Sequence, residues 1–218
     1  MTVPGLDSIE IEGTTRAQFI LRGALAAGAV SGFGAIAPYV SSALAATAAG
    51  DVGTLQFALS LEQLETAFYK AALANAGLGG PAQKLAKAFG LQEAQHLKTL
   101  SDLLNALGSK PAAPPKFKFG LTDQASFLDL AVKLEDTGVG AYNGAIANPR
   151  LRTPEIISAL GSIVQTEGRH SAAIRMVAGK DPAPQAFDKP LAPGQVKAAV
   201  EPYAQQPQQQ SQSPQSSG

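Results

Sequence analysis

Residues 109–122 read SKPAAPPKFKFGLT, and this stretch decides how the rest of the chain is arranged. Its three prolines and one glycine exclude a continuous helix. On both sides of it apolar residues recur at helical spacing. Before it, one helix is predicted over about Val52 to Leu78, with Leu55, Phe57, Leu59, Leu61, Leu64, Phe68 and Ala72 on its apolar face. A second is predicted over about Pro81 to Leu107, ending at Gly108. After it, a third runs from Thr122 as N-cap to about Ala147. A fourth opens with Thr153 as N-cap and Pro154 at the first helical position, and ends near Ala178 with Gly179 as its cap. A short fifth helix is expected over 194–200. Gly79-Gly80-Pro81 and the break at Asn148-Pro149 leave only a few residues inside each pair, so each pair forms an antiparallel hairpin. The far longer join at 109–122 must cross from one hairpin to the other. The predicted fold class is all-α: a four-helix bundle over 50–179, made of two hairpins and one long crossover, with an extension over 180–203.

Composition narrows what such a bundle does. Lys+Arg 17 against Asp+Glu 17 removes the basic footprint of a nucleic-acid binder. The chain has no cysteine, which excludes disulfides, thiolate zinc sites, iron–sulfur clusters and a cysteine nucleophile together. Imidazole chemistry is limited to His96 and His170, the two histidines of the 218 residues.

Both histidines close the same motif. The second helix contains Glu93-Ala94-Gln95-His96 and the fourth Glu167-Gly168-Arg169-His170, and the i,i+3 spacing puts each pair on one helix face. With nine glutamates in the chain, a glutamate three places before a given histidine arises by chance about 4% of the time, and before both about 0.2%. The other two helices offer Leu61-Glu62 followed by Tyr69, and Leu134-Glu135 followed by Tyr142. Glu62 lies 31 residues before Glu93 and Glu135 lies 32 before Glu167, with tyrosine seven places after the glutamate in both halves. This internal repeat selects Glu62 over Glu65, because the position matching Glu65 is Gly138. Glu65, one turn on, remains a candidate to swing in.

The segments LEQLETAFY (61–69), EAQH (93–96), FKFG (117–120), LEDTGVGAY (134–142) and EGRH (167–170) resemble the ferritin-like superfamily, in particular its exported bacterial branch related to plant desiccation-related proteins. The resemblance spans about Gly50 to Ala178. It implies a ferritin-like fold and a dinuclear metal site, with Glu93 and Glu167 as bridges, His96 and His170 as terminal ligands, and Glu62 and Glu135 as terminal carboxylates. Elementary chemistry wants the same set. Four carboxylates balance two divalent ions and make their burial tolerable. Oxygen-rich donors with one imidazole per metal suit iron or manganese, iron being preferred, over structural zinc. Like charges facing one another raise carboxyl pKa values in the metal-free state.

Around these six, Tyr69, Tyr142 and Glu65 are candidates for the surrounding hydrogen-bond shell. Arg169 and Asp136 flank the motifs, either paired with each other or solvated. Gly138, Gly140 and Gly168 are costly inside helices, and either permit close packing or are merely tolerated. Two function classes fit. One is a dinuclear oxidoreductase, ferroxidase-like or peroxide-consuming, whose partners are metal ions and dioxygen or peroxide. The other is a stress-protective or metal-binding structural protein without turnover.

The ends of the chain read differently. Between Arg22 and Asp51 there is no charged residue, Arg16 and Arg22 precede the run, and Ala43-Leu44-Ala45 and Ala46-Thr47-Ala48 offer small-residue cleavage sites. Residues 1–48 therefore read as an export signal, to the periplasm or cell envelope, or, if uncut, as an inner-membrane anchor through 23–48. TTRAQFILRGA (14–24) resembles a twin-arginine signal, with Ala17 standing where the second arginine would be. Residues 204–218, AQQPQQQSQSPQSSG, lack charge and apolar bulk and are expected to form a disordered tail.

Overall fold

The computed structural model describes residues 48–205. Apart from Ala48, the predicted signal or anchor segment lies outside the described residues, as do residues 206–218 of the predicted tail. Among the described residues no helix is long and apolar enough to cross a membrane. The chain forms α1 (Ala48–Asn75), α2 (Gly80–Ala106), β1 (Lys116–Phe117), α3 (Gln124–Ile146), α4 (Pro154–Val177), α5 (Pro193–Val200), a 3-10 turn (Glu201–Tyr203) and β2 (Ala204–Gln205). The fold is the expected ferritin-like bundle. α1 packs on α2 and α3 on α4, while α1 also meets α3 and α2 meets α4.

Helix ends follow local chemistry. Gly108 and Gly179 adopt φ of 71° and 69°. Their left-handed backbone lets Ser109 donate its N–H to the Leu104 carbonyl and Lys180 to the Arg175 carbonyl, closing both helices. α3 starts one residue later than the sequence predicts. Asp123, not Thr122, is the cap: its carboxylate accepts from the Ser126 N–H at 2.8 Å, and the Ser126 hydroxyl oxygen accepts from the Asp123 N–H at 3.1 Å. Capping at Thr122 would put Ala125 three places on, with no side chain to return the bond. Thr153 stands at the α4 N-cap but does not cap with its side chain; its hydroxyl donates to buried Asp51 at 2.5 Å, fastening the α3–α4 turn to the start of α1.

The crossover runs along α1. Gln56 brackets it, donating to the Lys110 carbonyl and accepting from the Ala112 N–H, and Gln63 donates to the Ala112 carbonyl. Phe119 then packs edge-on against Phe68. Past α4 the chain returns over α3. Leu191 donates its N–H to the Gly140 carbonyl at 2.8 Å and rests on Gly140 and Gly144, where a Cβ would fall 2.7 Å from Leu191 Cγ and 2.1 Å from the Leu191 carbonyl oxygen. Two helical glycines therefore serve as the seat of this strap. The strap ends by pairing β2 with β1, so the first two residues of the predicted tail, Ala204 and Gln205, are ordered as a strand.

Two apolar clusters fill the bundle. One is built around Phe68, Tyr69, Phe89, Phe127 and Ile174, the other around Leu55, Leu59, Leu100, Leu104, Ile156 and Leu160. On every helix the charged residues of interest fall between them in sequence. Truncating a fully buried leucine such as Leu100 to alanine costs about 2–5 kcal/mol, so the polar layer is clamped by both plugs.

Candidate metal centre

Five glutamates are sealed in this middle layer. Glu62, Glu93 and Glu167 are 0% exposed, Glu135 1% and Glu65 2%. Burying that many acids without compensation is prohibitive, so their partners matter. Each helix contributes through the repeat: Glu62 from α1, Glu93 and His96 from α2, Glu135 from α3, Glu167 and His170 from α4.

The geometry is that of two overlapping quartets. Glu62, Glu93, His96 and Glu167 present one ligand atom each within 4.8 Å of one another, and so do Glu93, Glu135, Glu167 and His170. Glu93 and Glu167 belong to both. Glu93 points Oε2 at His96 Nδ1 (2.9 Å) and Oε1 at His170 Nδ1 (2.8 Å). Glu167 points Oε1 at His96 Nδ1 (3.2 Å) and Oε2 at His170 Nδ1 (3.7 Å). Glu62 and Glu135 each meet one histidine only, at 3.4 Å. Glu62 Oε2, Glu93 Oε1, Glu135 Oε2, both Glu167 oxygens and His170 Nδ1 are buried without a hydrogen-bond partner. These buried oxygens and the imidazole nitrogen converge without satisfying one another, and carboxylate oxygen with imidazole nitrogen is a donor set that can hold metal ions.

The outer faces of these groups are held by further side chains. Tyr69 on α1 donates its hydroxyl to Glu135 Oε1 on α3, and Tyr142 on α3 donates to Glu62 Oε1 on α1. Tyr69 fits because its neighbour on α2 is Gly90, where a Cβ would lie 3.0 Å from Tyr69 Cβ. His170 Nε2 meets Gln92 Oε1 at 2.6 Å and its ring stacks on Phe89 at 3.9 Å, which fixes Nδ1 inward. Gln92 has no counterpart at Thr166, the matching position on α4, whose hydroxyl donates to Ser162. His96 is the less enclosed ring, its side chain 14% exposed against 1% for His170. Asp136 pairs with Arg175 and accepts from the Ser171 hydroxyl, while Arg169 donates to Thr166; the alternative of an Asp136–Arg169 pair is not formed. A Cβ on Gly168 would meet nothing within 4 Å, so that glycine makes no close approach.

Electrostatics in the metal-free site follow from the same geometry. Burial pushes the Glu62 carboxyl up to about 8, against the pull of His96. Burial likewise drives Glu65 and Glu135 well above the ordinary range. Burial opposes ionisation of Glu167 too, yet the His170 and His96 contacts outweigh it and hold that carboxyl at about 2. Burial disfavours both imidazoliums, but Glu167, Glu62 and Glu93 raise His96 to about 12, and Glu135, Glu167 and Glu93 raise His170 to about 11. Both tyrosine hydroxyls are pushed well above 10 by burial and by the carboxylates they face.

Among curated proteins no sequence matches the chain. Among solved structures it is similar to a conserved hypothetical protein from Mycobacterium tuberculosis, with a TM-score of 0.54 and 18% identity over 63% of this chain and 96% of that one, a likeness of fold alone. The ferritin-like domain family matches residues 50–180, the whole bundle and both Glu-x-x-His motifs, and the chain belongs to it.

Proposed function

We propose that this protein is an exported dinuclear metalloprotein, holding two iron ions or, second in preference, two manganese ions, and that it oxidises Fe(II) or consumes dioxygen or hydrogen peroxide. The observation that carries this reading is the sharing of Glu93 and Glu167, each aiming one oxygen at either histidine. Glu93 and Glu167 would be the carboxylates shared by both ions, His96 and His170 would each give a nitrogen to one ion, and Glu62 and Glu135 would each hold one ion from its outer side. Two adjacent ions that each change oxidation state by one unit supply the two electrons that dioxygen or peroxide takes up. The remaining work belongs to the chain. Tyr69 and Tyr142 hold the unshared carboxylates in place, Gln92 orients His170, and the apolar clusters on either side exclude bulk water. His96 is the ring nearer to solvent, and a small molecule would enter from its side.

Purified protein reloaded with iron or manganese and assayed for oxygen and peroxide consumption tests the reading. His96→Ala and His170→Ala should each lower metal occupancy and remove most turnover. A protein that holds no metal at neutral pH, and melts identically with and without these ions, would favour the non-catalytic, stress-protective alternative. Export rests on the basic flank and uncharged run of residues 1–48. Cell fractionation with N-terminal sequencing tests it: a cytoplasmic species beginning at Met1 would contradict export, and an intact membrane-bound one would select the anchor.

A further inference from the structure

Glu65 stands outside both quartets, yet it is only 2% exposed. It follows Glu62 by one turn of α1, so the two carboxyls share a face. The repeat gives it no mate, because the matching position on α3 is Gly138. The structure shows what that glycine leaves open: a Cβ there would lie 3.1 Å from Glu65 Oε1 and 3.7 Å from Glu167 Oε2. Gly138 is thus a recess occupied by the Glu65 carboxyl, beside the shared carboxylate of α4. Glu65 Oε2 is buried without a hydrogen-bond partner. The tyrosine hydroxyls that steady the site go to Glu62 and Glu135. A buried polar atom left in this state is costly unless something binds it.

We propose that Glu65 is a fifth carboxylate ligand of the centre, seated in the Gly138 recess, and that it makes the site favour an ion pair carrying more than four positive charges. The proposal rests on the dinuclear reading above. Four glutamates match two divalent ions. A fifth matches one divalent and one trivalent ion, and because it comes from one half of the repeat it makes the two metal positions unequal. Glu65 is then a specificity-determining residue for ion charge.

Competitive binding of Zn(II) and of Ga(III), supplied as its citrate complex, tests this on the full chain. Both ions are redox-inert, so the readout is affinity and not turnover. Glu65→Gln should weaken Ga(III) relative to Zn(II) by about tenfold or more, and Gly138→Ala, which crowds the carboxyl but keeps its charge, should shift the ratio the same way. An unchanged ratio in the folded variants overturns the proposal, while a two-ion stoichiometry leaves the dinuclear reading standing. Crystals of the Ga(III)-loaded wild-type protein decide without any variant: a Glu65 oxygen bonded to one ion is expected, and a Glu65 that bonds neither overturns the proposal. A wild-type chain that binds neither ion overturns both.

Discussion

The hydroxyl of Tyr69 on α1 donates to Glu135 on α3, and Tyr142 returns the same bond from α3 to Glu62. The two hairpins are therefore stitched together through the carboxylates that each holds at the centre. One bond serves both stability and site geometry, because the oxygen that each tyrosine leaves free is the one facing a histidine. Tyr69→Phe and Tyr142→Phe should each destabilise the metal-free protein by about 1–3 kcal/mol, since a buried carboxyl loses its donor. Each should also weaken metal binding by about 10–100-fold. Denaturant melts and metal titrations of the two variants check both effects.

The metal-free protein should lose stability as pH rises. Glu62, raised to about 8, contributes fully below 4.5 and loses that contribution as pH climbs through about 8. His96 and His170, raised to about 12 and about 11, contribute fully below 6.5 and lose it across the alkaline range. Glu167, held at about 2, acts oppositely, and its contribution disappears as pH falls from 4.5 toward 2. The melting temperature of the apo form should thus decline between about pH 5 and 9. Bound ions require ionised carboxylates and neutral imidazoles, so the loaded form should gain relative stability over the same range, and binding should release protons. Calorimetric titration in buffers of different ionisation enthalpy measures that release.

Gln92→Leu should lower metal affinity by about 10–100-fold by freeing His170 Nε2. The matching change on the other half, Thr166→Val, should leave affinity unaltered, because that hydroxyl bonds its own helix backbone. Metal titration of the pair reads the asymmetry directly.

Gly144→Ala should cost about 1–3 kcal/mol and expose residues 178–205 to protease, because the added methyl collides with the Leu191 carbonyl. Gly161→Ala and Gly168→Ala, where the methyl meets nothing within 4 Å, should instead stabilise by about 0.5–1 kcal/mol through helix propensity. Thermal melts and limited proteolysis separate the two classes.

The bundle was legible because its signals are local: helical periodicity, breakers at the turns and the prolines of 109–122. The convergence of six polar side chains was legible because the motif occurs twice and the repeat supplies the mates. What lay beyond the sequence is asymmetric or long-range. Gln92 has no partner in the other half, so the repeat could not find it. Glu65 fills space made by a glycine 73 positions away, a contact with no local signature. The seat of Leu191 on Gly140 and Gly144 likewise joins distant segments, and the α3 cap moved by one residue because Ser126 completes it only with Asp123.

Anomalous diffraction from crystals loaded with Mn(II) tests the central claim most directly. Two peaks about 3.5–4 Å apart are expected in the bundle core, both bonded by Glu93 and Glu167, one also by Glu62 and His96 and the other by Glu135 and His170. A core without peaks, or a single peak held by only one of the two quartets, would contradict it.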